Sequence, residues 1–297
     1  MSSLKLLEKY KAGECERVWQ ELKDLGEINQ QSVKVEALAV AREMMQRVKY
    51  NLNVIVNNLI KLGFEFDELE KVVVLAKSNA CEYLDEFEQQ WGILPLSVRA
   101  WFEVIHSIKF SPSKLLSKNS LQFLDAESVI LKFCFHCDYD TNIFDAVSDD
   151  NELRWYPREI NFYSLEEILE GVIKANEEFK KEWQEGKVDE WTLNYYSEKG
   201  IDPTITPLNK YLNFLPVGMC ASNNEPMGFD IGRCTVDCEL FNDGEQTDFV
   251  DYLRCKLLNS LLVGECLTKN PLNYIYCGFP PEFEKMNAEI KNGIIIF

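Results

Sequence analysis

Apolar positions fall into helical periods at both ends of the chain and into shorter, strand-like runs between them. Leu4, Leu7 and Tyr10, followed by Cys15, Val18, Trp19 and Leu22, recur at three- and four-residue steps. They predict a helix over residues 3–24, with Gly13 as a break point and Gly26 as its end. From about Gln31 to Leu62 the spacing of Val35, Leu38, Ala39, Ala41, Met45, Val48, Leu52, Ile55, Val56, Leu59 and Ile60 predicts a second, long helix, closed by Gly63. A short loop between two helices makes an antiparallel hairpin the economical arrangement. Residues 1–66 therefore form an N-terminal helical hairpin, either a separate subdomain or a brace against a sheet. Phe64-Glu65-Phe66 alternates as a linker or short edge strand, and Val72–Leu75 fits helix or strand equally well.

Asn79–Gln90 reads as an acidic helix with Cys81, Leu84, Phe87 and Trp91 inward. It enters the densest stretch of the chain, Phe87 to Phe110. Gly92 is placed to cap the helix in a left-handed conformation that other residues reach only at a cost. Pro95 fixes φ and Ser97 offers a capping oxygen for a second, short helix. That helix sets Val98, Trp101, Phe102 and Ile105 on one face, and Ile108–Phe110 opens a strand. Two Trp and a Phe in so short a segment make it core-forming.

Further along, Val129–Cys137 has the β-branched and aromatic alternation of a central strand. Leu153–Tyr156 is a short strand ended by Pro157. Ser164 with Glu167 three residues on forms a capping box. It starts a helix whose stripe is Leu165, Ile168, Leu169, Val172 and Ile173 and which extends toward Trp183. Gly186–Gly200 reads as an irregular link. Leu208–Val217 and Gly228–Leu240 read as strands, Asp243-Gly244 as a tight turn, and Asp248–Leu262 as a last long helix. A short helix precedes an apolar end, Ile294–Phe297, which in so charged a chain is expected to dock on a groove or sheet.

Composition narrows the function. The 297 residues include 49 acidic and 31 basic side chains, a formal charge of −18, with 46% apolar and 12% aromatic residues. That is a folded globule of one large or two ordinary domains. The charge repels nucleic acid and anionic membrane surfaces and favours a basic protein partner. The first ten residues lack a secretory apolar core, and no run reaches membrane-spanning length. A soluble, cytoplasmic protein is expected, its ten Cys mostly reduced, buried thiols.

Candidate chemistry is sparse. Of the two His, His106 follows the apolar face of the central helix and reads as a helix-end or packing residue. His136 shares a strand face with Cys134, with Cys137 on the other. With Cys234 and Cys238 these residues raise a zinc site, but no CxxC pair occurs, so core thiols are the reading and no metal or cofactor is assigned. Dinucleotide and P-loop motifs are absent. Asp138, Asp140, Asp145, Asp149, Asp150 and Glu152 form an acidic cluster without EF-hand spacing. As a ligand-binding element it is assigned to contact with a basic protein, a solvated loop being the default.

The stretch at residues 84–110 resembles the SUKH superfamily of bacterial toxin-immunity proteins and fungal cell-wall regulators, and looks closest to long bacterial members without assigned activity. The resemblance rests on an acidic helix, then W-G-x-L-P-x-S-x-R-x-W-F-E, then an apolar strand, with Trp91, Gly92, Pro95, Trp101 and Phe102 as its structural signature. It recurs weakly at Phe249–Arg254 and Cys277–Pro280. The chain departs from the pattern at His106-Ser107, where a turn-forming Gly or Asn is usual, and at Cys277-Gly278, where two Gly are usual. The resemblance implies an α+β fold over residues 67–297, a mixed or largely antiparallel sheet with packed helices and a helical insertion at about 162–196. It implies a non-catalytic protein-binding module, an immunity-type inhibitor of a basic toxin. The alternatives are a carboxylate-based or metal-assisted hydrolase, and an effector or regulator whose hairpin docks a partner.

Overall fold

The structure, a computed structural model, describes residues 5–61, 63–110, 114–116, 153–155, 160–188, 190, 194, 214–219, 226–242, 245–259 and 281–297. The first predicted helix is two: α1 (Leu6–Lys11) and α2 (Cys15–Lys23), parted where Gly13 takes φ 103°. Cys15, Val18, Trp19 and Leu22 form the buried face of α2. Helix α3 (Gln31–Lys61) runs 31 residues and buries the expected Ala41, Met45, Val48, Leu52, Ile55, Val56 and Leu59, together with Val40 and Met44, while Val35 and Ile60 at its two ends are exposed. After it, α4 (Leu69–Val72) is a single turn that passes directly into strand β1 (Val73–Leu75). The ambiguous Val72–Leu75 run is thus helical at its first residue and extended over the rest.

Helix α5 (Ala80–Trp91) ends at Gly92, whose φ of 126° is costly for any residue with a Cβ. Helix α6 (Leu96–Val104) follows Pro95. Ser97, expected to cap it, lies inside the helix, and no side chain caps that terminus. The exposed N–H groups of the first turn are satisfied from elsewhere: Leu96 donates to the Thr235 carbonyl and Ser97 to the Val236 carbonyl, each at 2.9 Å. Helix α6 then turns without a loop into β2 (Ile105–Phe110). Ile105 is therefore extended, and His106-Ser107 lies on a strand. The reason is pairing: Leu75, Val74 and Val73 of β1 stand opposite Ile105, Ser107 and Ile108.

The remaining elements are β3 (Lys114–Leu116), β4 (Leu153–Trp155), β5 (Ile160–Phe162), α7 (Leu165–Gln184), β6 (Phe214–Met219), β7 (Pro226–Asp230), β8 (Glu239–Asn242), β9 (Glu245–Asp248), α8 (Phe249–Arg254), a π-helical turn (Cys255–Asn259) and α9 (Pro281–Gly293). Strands order as β1-β2-β5, β3-β4 and β6-β7-β8-β9, and every described pairing is antiparallel. The fold is α+β. Asn242 pairs with Glu245 across the predicted Asp243-Gly244 turn. The predicted strand at 228–240 is two strands joined by a loop at 231–238, because that loop instead supplies its carbonyls to α6. The predicted helix at 248–262 is α-helical only through Arg254 among the described residues. The run 129–137 and Cys277-Gly278 lie outside the described residues.

Trp101 of α6 is the hinge of the core. Its ring meets Phe162 of β5 at 5.2 Å and Phe249 of α8 at 5.7 Å, both edge-on. Phe249 in turn meets Phe229 of β7 at 4.8 Å. Trp101 thus ties the β1-β2-β5 sheet to α8, and Phe249 carries the contact on to the β6–β9 sheet, a geometry worth about 0.5–1.5 kcal/mol per aromatic pair beyond the area buried. The buried residues of α1, α2 and α3 belong to the same continuous cluster.

Candidate functional site

A small crevice opens where α5, α6, β2 and α7 meet. Lys77, Asn79 and Tyr83 line one side, His106 and Glu166 the other, and Leu84, Phe102 and Leu165 complete its lining. Its volume is about 70 Å³. Sites for cofactors and drug-sized ligands run to roughly 300–1,000 Å³, so this one has room for the tip of a side chain or a few waters.

The sequence fixes one wall locally. Ser164 Oγ accepts from the Glu167 N–H at 3.1 Å, and a Glu167 carboxylate oxygen accepts from the Ser164 N–H at 2.8 Å. The predicted capping box is present, and it fixes the first turn of α7, and with it Glu166, at the crevice mouth. Burial opposes ionisation of Glu167, but the Ser164 bonds outweigh it and hold its carboxyl below the usual range. Lys109 of β2 reaches Glu167 at 3.3 Å. One residue pair away, His106 Nε2 stands 3.4 Å from Glu166 and Lys77 Nζ 3.5 Å from the other carboxylate oxygen. His106, read from sequence as a helix-end or packing residue, is a strand residue presenting its ring to a carboxylate. Burial, then the carboxylates of Glu166 and Glu86, push the Tyr83 hydroxyl's pKa up. Glu82 and Glu86 on α5 and Glu170 on α7 are exposed nearby in the chain. The crevice lining has no Ser, Thr or Cys, and the Tyr83 hydroxyl is the one hydroxyl in it.

The signature residues occupy a different, closed region. Trp91 ends α5, Gly92 and Pro95 shape the turn, and Trp101 and Phe102 are core. This turn grips the 231–238 loop. Besides the two α6 bonds, Gly232 N–H donates to the Ile93 carbonyl at 2.7 Å; from the connection between α2 and α3, Ile28 N–H donates to the Cys234 carbonyl of the same loop at 2.7 Å. Ser97 Oγ donates to Asp237 at 2.8 Å, while the N–H groups of Cys238 and Val250 donate to the same carboxylate at 3.0 and 3.4 Å. Burial, despite those bonds, pushes the Asp237 pKa up to about 6. Arg99 is buried in the turn as well, with Asp85, Glu88 and Glu103 around its guanidinium at 2.6, 2.5 and 3.0 Å. Sequence reading passed over Asp237 and met Arg99 only as a letter of the motif; the partners of both converge in the fold.

The acidic candidates Asp138, Asp140, Asp145, Asp149, Asp150 and Glu152 lie outside the described residues, as do Cys134, His136 and Cys137. Cys234 and Cys238 are buried, and burial raises the Cys234 pKa. Among the described residues no group of three or more His, Cys, Asp or Glu is placed to hold a metal ion, and no helix is long and apolar enough to cross a membrane. No family model matches the chain, and no curated protein or solved structure matches it either.

Proposed function

We propose that the chain is a non-catalytic protein-binding module that engages a basic protein partner, in the manner of the SUKH-type immunity proteins that residues 84–110 resemble. The observation that carries this reading is the acidic excess, −18 over the chain, together with a crevice in which the exposed Lys77 and the His106 imidazole face the Glu166 carboxylate. A charge of that size steers a basic partner and accelerates encounter. The Glu166–Lys77 pair is open to water and worth little, so a partner's Lys or Arg can take the place of Lys77 without large cost. Affinity capture from lysate at low salt, eluted along a salt gradient, tests it. A basic protein is expected, with affinity for the purified partner falling about tenfold or more between 0.1 and 0.5 M salt as the screening length shrinks. Salt-insensitive binding, or capture of no basic protein, would sink the reading.

A hydrolase is the second reading, favoured by the carboxylate-oriented imidazole of His106. It requires turnover of simple ester or phosphodiester substrates that His106→Ala abolishes while leaving the fold intact.

A further inference from the structure

The crevice between α5, α6, β2 and α7 has an apolar floor and a polar mouth. Leu84, Phe102 and Leu165 are its buried lining. At the mouth, the two oxygens of the Glu166 carboxylate face different groups. Lys77 Nζ stands 3.5 Å from one and His106 Nε2 3.4 Å from the other. Charge-assisted N–H···O bonds close to about 2.7–2.9 Å, so both contacts stop short of one. The next residue is spent differently. One oxygen of Glu167 accepts from the Ser164 N–H, and the other from Lys109 Nζ at 3.3 Å. The start of α7 thus consumes one carboxylate and holds the other, with two acceptors side by side, at a hole of about 70 Å³.

Two further acceptors border that hole. Asn79 precedes α5, yet its side chain does not cap the helix. Among the described residues no hydrogen bond engages the Tyr83 hydroxyl; burial, then the charges of Glu166 and Glu86, act on it. An aromatic ring within reach of two carboxylates favours a cation beside it.

The kind of cation follows from the shape of the acceptors. A lysine ammonium is a compact, strongly hydrated charge, and it gives up water to enter an apolar hole. Lys77 is such a group, and its side chain stays 69% exposed. A guanidinium is planar and weakly hydrated. It pairs both oxygens of one carboxylate at once, stacks on an aromatic ring, and has N–H donors left for an amide or phenol oxygen. A hole of this volume admits only the planar tip. Small-molecule sites bury most of their ligand, so a guanidinium displayed on a protein surface is the better fit.

We propose that the crevice is an arginine-reading subsite, in which a guanidinium from the partner's surface enters beside Tyr83, takes the place of Lys77 and pairs both oxygens of Glu166. Resting on the basic-partner reading, this assignment specifies which basic side chain is read and by which residues. The displaced Lys77 returns to water at little cost.

The test titrates the full chain with two pentapeptides, acetyl-Gly-Gly-Arg-Gly-Gly-amide and the same peptide with Lys at its centre, followed by NMR. Saturable shifts at Tyr83, His106 and Leu165 are expected, with the arginine peptide bound about fivefold or more tighter than the lysine peptide. Glu166→Gln should remove that preference and most of the binding. Tyr83→Leu should weaken the arginine peptide severalfold, and Lys77→Ala, which takes away the competing cation, should strengthen it. Equal affinity for the two peptides, no saturable shift from either, or arginine binding indifferent to Glu166→Gln overturns the proposal. Free arginine bound more tightly than the arginine peptide would make the occupant a small molecule and overturn the assignment to a partner surface. A basic protein captured in a salt-dependent way, with an affinity that survives Glu166→Gln, keeps the charge reading and overturns this subsite. Arginine-selective binding in the crevice with no basic protein captured supports the subsite and sinks the wider reading.

Discussion

Helix α5 borders two clusters of the same chemistry. On one side Asp85 and Glu88 meet Arg99, with Glu103 of α6 closing the set and Arg42 of α3 also bound to Glu103. On the other, Tyr83 edges the crevice where Glu166 faces Lys77 and His106. The side chains of Arg99 and Glu103 are 9% and 4% exposed, those of Lys77 and Glu166 69% and 45%. In the first cluster Arg99, Glu88 and Glu103 are shielded, and none of the three can leave without stranding another in a poor solvent, while Asp85 and Arg42 at its edge are open to water. In the second, water stands in for whichever partner is missing. A carboxylate–cation pair is structural or available for recognition according to its burial, and one helix carries both outcomes.

The contrast is broken most directly at Arg99. Arg99→Met leaves Glu88 and Glu103 short of a buried cation and is expected to destabilise the fold by about 3–5 kcal/mol, measured by urea unfolding. A loss below about 1 kcal/mol would mean that this cluster is as well screened as the crevice.

Asp237 sharpens the comparison, being half-buried and satisfied by a hydroxyl and two backbone N–H groups instead of a cation in contact. Burial, with Asp248 adding repulsion, raises its pKa from 3.8 to about 6. The folded chain therefore keeps this proton to higher pH than the unfolded chain does. Its contribution to stability is fully present below about pH 4 and is lost as pH rises through about 6. Against Asp237→Asn, which does not titrate, the unmodified protein should lose about 2–3 kcal/mol from pH 4 to 7. Parallel stability curves for the two proteins would show a solvated carboxylate.

The smallest effect belongs to the crevice. Lys77→Ala and Glu166→Gln should each change stability by no more than about 0.5 kcal/mol. Glu166→Gln should nevertheless weaken binding of the basic partner and flatten its salt dependence. A stability loss matching that of Arg99→Met would erase the difference between the two clusters.

Much of the helical architecture was legible because its signals are local. The three- and four-residue steps of Val18, Trp19 and Leu22, the break at Gly13, the cap at Gly92 and the Ser164–Glu167 box all act within a turn or two of chain. Where reading failed, a distant partner had changed the outcome. Ser97 looked like a cap, but Thr235 and Val236 satisfy the helix terminus and its hydroxyl goes to Asp237, 140 positions on. Ile105 and His106 looked helical or loop-like, but pairing with β1 draws them into a strand. The candidate site followed the same rule. A run of acidic residues at 138–152 is conspicuous in sequence, whereas the crevice joins Lys77 and Tyr83 to His106 and Glu166 from separate elements. Only the capping box hinted at where Glu166 would stand.

By itself, then, the amino-acid sequence determined the helix periods, the turn at Gly92, the α+β class and the acidic character of the surface, all of which depend on residue type and near neighbours. The tertiary structure decided which charges are shielded and which are open to water, and that Ser97 and the N–H groups of Cys238 and Val250 meet at Asp237. Those facts depend on distance and desolvation, and both exist only once remote segments have packed against one another.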